Sequence, residues 1–362
     1  MRRFLCVLCV VLSSVAVSQP ASAQLPTVQF QGTYSGLLPY IDWAWWLTPS
    51  QMCLENQPFY GSQPATGGPY PVIIYLHGTL ADWGNNVEGQ QFVQVAAAHG
   101  FVAAAFNYDS WITWGSPRDI DLHANCMFNT GSPGNAISQI CARPQANCSN
   151  GFVVTGFSQG AAIGGRAKNF NAGVQGLWAM GLSGPNIPEA VATPTGTRML
   201  PNNRLRITTG QGELLTNTTG QPDLSALNAM TGQSCTTFNC LQSDGSGYYI
   251  VSNSEVSSGM ATHCYWYAGN ACSSLSPTLD STFVSGTTPW SLSTNLSWLA
   301  GLLSAPIVQS GPAPQNLRVV RKPEVPVHPA VLDARGKLVR LPMTVREYAR
   351  AHGARVKRLL KR

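Results

Sequence analysis

Four short runs of this chain are apolar at nearly every position: PVIIYL at 71–76, FVAAAF at 101–106, GFVVT at 151–155 and QGLWAM at 175–180. A strand with one wet face alternates apolar and polar residues. These runs do not alternate, so they read as strands buried on both faces, the mark of a mostly parallel sheet covered by helices. Between the first two, Val87, Phe92, Val95, Ala96 and Ala98 recur at helical spacing over residues 85–99, and Gly100 ends the pattern. A helix is expected at 159–170, further strands at 205–209 and 248–252, and a final amphipathic helix at 290–303. Residues 27–34 read as an edge strand. Strands alternating with helices predict an α/β class with helices on both faces of the sheet. Residues 107–150 and 215–246 read as long, cysteine-bearing loops, of the kind that shape a site beside a parallel sheet.

Composition supports a packed core. Apolar residues make up 44% of the chain and charged residues only 10%, against ~25% in average globular proteins. That excludes a disordered chain or a coiled coil. Residues 1–23 read as a signal peptide: Arg2 and Arg3, an apolar stretch from Phe4 to Val17, then Ala21-Ser22-Ala23 as the cleavage site. The expected destination is the periplasm or the extracellular space. After the leader there is no second apolar run of about 18 residues, so no transmembrane helix is expected.

The expected mature chain keeps eight cysteines: Cys53, Cys126, Cys141, Cys148, Cys235, Cys240, Cys264 and Cys272. An even number in an exported chain predicts disulfides, giving disulfide-stapled loops. The local pairs Cys235–Cys240 and Cys264–Cys272 are expected, with Cys141–Cys148 or Cys126–Cys141 as alternatives for a third. None of these eight shows CxxC spacing, so no metal site is expected.

Charge divides the chain. Residues 24–310 carry seven Lys/Arg against thirteen Asp/Glu, whereas residues 311–362 carry thirteen against three. The shift falls at Gln309-Ser310-Gly311-Pro312-Ala313-Pro314, a linker-like stretch. The expected organisation is a leader at 1–23, a catalytic domain at 24–308, and a linker with basic tail at 309–362. Residues 343–362 fit a basic helix, and the tail 311–362 reads either as a solvated segment or as a contact for an anionic surface. No nucleic-acid partner is expected.

Gly156-Phe157-Ser158-Gln159-Gly160 fits G-x-S-x-G, and its setting makes the match specific. A buried strand precedes it and a helix of small residues follows. A serine at so sharp a turn projects its hydroxyl above the sheet, beside a helix N-terminus. The Gln159 N–H then faces a developing oxyanion. His77-Gly78-Thr79 directly follows strand 71–76 and offers a second donor, the N–H of Thr79, with Gly78 as the neighbouring choice. His77 itself reads as a residue that holds the turn.

A serine hydroxyl needs a base. After an elbow of this kind, the acid and then the histidine follow the nucleophile in the chain. His263 follows the last expected strand, whereas His123 precedes Ser158, His99 ends a helix, and His328 and His352 lie in the tail. The orienting acid is expected after strand 205–209, where Gly210-Gln211-Gly212 leads to Glu213; Asp223 is the alternative acid, with Asp244 and Glu255 weaker. Trp83, Tyr265 and Trp266 lie near these residues in sequence and are candidates to line a substrate cleft; Trp111 and Trp114 are further aromatics of the same kind.

With Ser158, Glu213 and His263 in that order, residues 60–305 resemble the α/β-hydrolase superfamily. More narrowly, His77-Gly78-Thr79-Leu80, the GFSQG elbow and His263-Cys264-Tyr265-Trp266 are similar to motifs of exported bacterial serine hydrolases. The elbow is also similar to that of cutinases and some polyester depolymerases. The resemblance implies the α/β-hydrolase fold and hydrolysis of carboxylic esters through a Ser158 acyl-enzyme, with a small-molecule, lipid or polymeric ester as substrate and no cofactor. A serine peptidase or amidase, an acyltransferase, or a non-catalytic surface-binding protein are the alternatives. An imidazole base implies activity that falls below about pH 6.5, the ordinary histidine value.

Overall fold

A computed structural model describes residues 24–37, 53–79, 86–110, 117–131, 134–182, 198–213, 221–270, 278–303, 330–332 and 338–340. The expected leader, the linker, the tail helix at 343–362, Trp83, Trp111, Trp114 and Cys272 lie outside the described residues.

The described chain builds a ten-stranded sheet. Its strands are β1 (Thr27–Leu37), β2 (Cys53–Pro64), β3 (Tyr70–Leu76), β4 (Val102–Phe106), the two-residue β5 (Ala146–Asn147), β6 (Phe152–Phe157), β7 (Val174–Met180), β8 (Leu205–Gly210), β9 (Asn239–Leu241) and β10 (Gly247–Val251). The order across the sheet is β1-β2-β4-β3-β6-β7-β8-β10-β9, with β5 beside β3. From β4 to β10 the neighbours are parallel; β1, β2 and β9 pair antiparallel. With its second strand antiparallel and β3 inserted between β4 and β6, this is the α/β-hydrolase fold.

The helices are α1 (Val87–Ala98), α2 (Pro117–Phe128), α3 (Ala136–Cys141), α4 (Gln159–Phe170), α5 (Leu224–Thr231), α6 (Ser281–Ser285) and α7 (Leu292–Leu302). They divide between the two faces, and the strands divide with them. Val72, Ile74 and Leu76 of β3 join the core built with α2, α3, α4 and α5, whereas Ile73 and Tyr75 join the core built with α1, α6 and α7. That split is why the strands are continuously apolar: both alternating rows are buried.

The structure corrects the sequence reading of several segments. Residues 107–150 and 215–246 are not plain loops; they hold α2, α3, α5 and β9. These helices are short or polar, so their apolar period is weak, and the starts of α3 and α5 are set by side-chain caps. Asn135 accepts from the Ser138 N–H at the head of α3, and Asp223 accepts from the Ala226 N–H at the head of α5. Strand β2 was not expected either. Its polar residues follow no strand alternation, yet its second half is buried between β1 and β4.

Disulfides join Cys53 to Cys126, Cys141 to Cys148 and Cys235 to Cys240. The alternative Cys126–Cys141 is overturned, because Cys126 on α2 packs beside Leu37, Cys53 and Leu122 and bonds Cys53. Cys264 is disulfide-bonded as well. Such bonds persist in oxidising compartments, in keeping with an exported protein. Among the described residues, no helix is long and apolar enough to cross a membrane.

The chain divides into two compact units, Met1–Val319 and Val320–Arg362. Within the second, Ala330–Leu332 pairs antiparallel with Leu338–Arg340.

Candidate active site

Strand β6 runs to Phe157, and α4 begins at Gln159, leaving Ser158 alone in the turn. Its φ of 52° and ψ of −117° lie outside the regions open to most L-residues. The flanking glycines make that geometry possible. A Cβ on Gly156 would stand 2.5 Å from the Gly160 carbonyl, and one on Gly160 would stand 2.3 Å from the Leu76 oxygen. The elbow is therefore closed on itself and pressed against the end of β3. The Ser158 N–H donates to the Met180 oxygen at 2.8 Å, tying the turn to β7.

The turn after β3 meets the elbow. A Cβ on Gly78 would stand 3.5 Å from the Ser158 Cβ. The Thr79 hydroxyl donates to Gln159 Oε1 at 3.1 Å, so the two proposed oxyanion donors belong to residues that also touch through their side chains. The Gly78 N–H is engaged by Glu88 Oε1 at 3.2 Å.

His77 is buried and holds the turn, as its sequence position suggested. Its Nδ1–H donates to the Gly78 oxygen at 2.7 Å, and its Nε2 accepts the Tyr108 N–H at 3.3 Å. A backbone N–H can only donate, so this pairing selects the neutral Nδ1–H tautomer. The ring stacks on Tyr108 at 4.1 Å. Burial lowers the His77 pKa to about 4; burial, with His77 nearby, lowers that of His123 to about 3.

The acid turn and the histidine loop come together at the ends of β8 and β10. Glu213 is fully buried, and its Oε2 lies 2.7 Å from His263 Nδ1. The Thr209 hydroxyl also donates to that oxygen, at 3.5 Å. Backbone bonds latch the turn: Gln211 N–H to the Val251 oxygen at 2.8 Å and Gly212 N–H to the Ala261 oxygen at 2.7 Å. The His263 ring lies 4.8 Å from that of Phe157, the residue before Ser158. The turns that carry Ser158, Thr79 and Glu213, and the loop that carries His263, thus lie beyond the C-terminal ends of the parallel strands, where open α/β sheets form their clefts.

The other candidate acids are engaged elsewhere. Asp223 caps α5, Asp244 accepts from Ser246, and Glu255 accepts from Tyr249 and Ser252. The cleft assignment of Tyr265 and Trp266 is corrected: both side chains are fully buried in the core under the site. The Tyr265 hydroxyl is paired with the Thr208 hydroxyl at 2.6 Å, and Trp266 packs against Tyr75, Phe157 and Phe283. Their neighbourhood to His263 in sequence says nothing of direction, because the chain after His263 turns inward. Sequence reasoning missed Glu88, Tyr108 and Tyr267, which grip the turns from below. The available signal was Glu88 itself, a carboxylate four residues before Phe92 on the apolar face of α1.

No protein-family model matches the chain, and no curated protein matches it in sequence. Among solved structures it is similar to a dienelactone hydrolase-like promiscuous phosphotriesterase from metagenomic libraries, at 12% identity and TM-score 0.46, covering 76% of this chain and 98% of that one. A cold-adapted esterase from an Arctic intertidal metagenomic library is similar at 11% identity and TM-score 0.39, over 67% and 88%. A putative dienelactone hydrolase from Klebsiella pneumoniae subsp. pneumoniae is similar at 14% identity and TM-score 0.33, over 62% and 85%.

Proposed function

We propose that this protein is a serine hydrolase of carboxylic esters, with Ser158 as nucleophile, His263 as base and Glu213 as the orienting acid. The observation that supports it most is the buried 2.7 Å contact between His263 Nδ1 and Glu213 Oε2 at the same sheet edge as the strained Ser158 turn. Glu213 holds the imidazole with Nδ1 protonated, which leaves Nε2 to take the Ser158 proton. The Ser158 oxygen adds to the ester carbonyl, and the N–H groups of Gln159 and Thr79 receive the oxyanion. As the tetrahedral adduct collapses, the C–O bond to the alcohol breaks and the alcohol leaves with the proton from Nε2. Water then gives its proton to Nε2 and attacks the acyl-enzyme. Collapse of the second adduct returns the proton to Ser158 and releases the acid.

Export supplies the oxidising setting the disulfides require, so the substrate is one met outside the cytoplasm. A small-molecule, lipid or polymeric ester fits this chemistry. The test is hydrolysis of p-nitrophenyl esters from C2 to C16 by the mature protein and by Ser158→Ala. Cleavage by the wild type alone supports the reading, and the chain-length optimum then sorts short esters from lipids and polyesters. A folded wild type that leaves every ester intact, while cleaving a matched anilide, sinks it in favour of an amidase.

A further inference from the structure

Glu88 sits in the first turn of α1 and is buried, beside the site rather than in it. A buried carboxylate needs donors, and three meet this one. The Tyr75 hydroxyl donates to Oε1 at 2.8 Å, and the Gly78 N–H donates to the same oxygen at 3.2 Å. The Tyr267 hydroxyl donates to Oε2. The donors come from β3, from the turn after β3, and from the segment four residues beyond His263. Among the described residues, no Lys or Arg forms an ion pair with Glu88. Burial pushes its carboxyl pKa up to about 7, against the hydrogen bonds of Tyr75 and Gly78.

The turn that Glu88 holds carries the Thr79 N–H. Two successive peptide planes are gripped there. In the His77–Gly78 plane, the His77 oxygen accepts the Tyr108 hydroxyl at 2.5 Å, and the Gly78 N–H goes to Glu88. In the Gly78–Thr79 plane, the Gly78 oxygen accepts from His77 Nδ1. A trans peptide points its C=O and N–H in opposite directions. Fixing the Gly78 oxygen therefore aims the Thr79 N–H the other way, and fixing the Gly78 N–H stops the first plane from rotating and carrying the second with it. Of these grips, Glu88 also reaches the histidine segment, through Tyr267.

We propose that Glu88 is a positioning residue for the oxyanion hole, clamping the Gly78 N–H so that the Thr79 N–H is preorganised, and coupling that turn to the His263 segment through Tyr267. The role of Thr79 rests on the esterase reading above; the clamp on Gly78 does not. Removing a single oxyanion donor costs about 10²–10³ in kcat. A donor left in place but loosened costs part of that.

The experiment uses the full mature chain as wild type, Glu88→Leu, Tyr267→Phe and Ser158→Ala. Leu fills much of the same space and offers the Gly78 N–H no acceptor. Two readouts are taken: steady-state kinetics on a short p-nitrophenyl ester, and hydrogen–deuterium exchange of the backbone at 76–79. Glu88→Leu is expected to lower kcat by ~10-fold or more with KM within ~2-fold, and to speed exchange at Gly78. Tyr267→Phe is expected to lower kcat less and to keep Gly78 protected. A folded Glu88→Leu protein with unchanged kcat, or with unchanged Gly78 exchange, overturns the proposal. If Glu88→Leu does not fold, Tyr267→Phe decides the coupling: lowered kcat at constant KM supports it, and wild-type kcat overturns it. If the wild type cleaves no ester, the esterase reading falls, while the exchange arm still decides whether Glu88 clamps the turn.

Discussion

Gly210 and Ala261 approach so closely that a Cβ on Gly210 would stand 2.2 Å from the Ala261 oxygen. This contact brings the turn that carries Glu213 against the loop that carries His263. Gly210→Ala must push the two apart. We expect a lower Tm and a fall in kcat/KM of about 10-fold or more, since a 1 Å misplacement of reacting groups costs on the order of 10²-fold. Wild-type kinetics in a folded Gly210→Ala protein would show that the two loops need not meet so tightly.

The Glu213 carboxylate lies 2.7 Å from His263 Nδ1, the contact the proposed triad rests on. Glu213→Gln keeps the shape but offers an amide where a carboxylate stood, which favours the wrong tautomer. A loss of about 10⁴ in kcat is the precedent for such a change in a serine triad. Asp223→Asn, at the helix cap, should leave kcat near the wild-type value and touch only stability. Measuring both variants on one ester distinguishes the two acids.

Ser158 holds a φ of 52°. Positions of this kind store about 1–3 kcal/mol of backbone strain in a non-glycine residue. Glycine adopts that conformation freely, though it costs more entropy on folding. Ser158→Gly should therefore be inactive and about 1 kcal/mol more stable than Ser158→Ala in denaturant titrations. Equal stabilities would mean that the turn is not strained.

Acid should weaken the fold between pH 6.5 and 4. Burial lowers the pKa of His77 to about 4 and of His123 to about 3, so below pH 6.5 the unfolded chain binds protons that the folded chain refuses. Each group contributes up to about 1.4 kcal/mol per pH unit in that window. Glu88 acts with the opposite sign: its raised pKa of about 7 makes the folded chain bind a proton first, so its share of stability grows as pH falls from 7 to 4.5. Glu55, raised by burial to about 7, adds to Glu88, and His99, lowered by burial, adds to the other histidines; three histidines against two glutamates leave a modest fall in wild-type stability from pH 6.5 to 4. In Glu88→Gln the fall should be steeper. A parallel pH dependence of the two proteins would contradict the Glu88 shift.

The disulfides differ in the span they close. Cys53–Cys126 spans 73 residues and Cys235–Cys240 only 5. Loop-closure entropy assigns about 4 kcal/mol to the first and about 2 kcal/mol to the second. Paired Ser substitutions, compared by denaturant unfolding, should preserve that order.

What the sequence determined by itself is local. Strands such as 71–76 and 101–106 announce themselves because both of their faces are buried, which leaves their apolar runs unbroken. The Ser158 turn is legible because glycines at 156 and 160 are demanded by contacts within a few residues of chain and at the adjoining strand end. Strand β2 and helices α2, α3 and α5 were not legible, because their burial is supplied by distant partners and their own apolar period is weak. Tertiary structure alone decided which carboxylate meets His263, fifty residues of sequence from Glu213. It alone turned Tyr265 and Trp266 inward, and brought Glu88 under Gly78 and Tyr267 from helix α1. Such pairings depend on where whole elements dock, and docking is set by the summed packing of the sheet and its two helical layers, a quantity that no local stretch of residues contains.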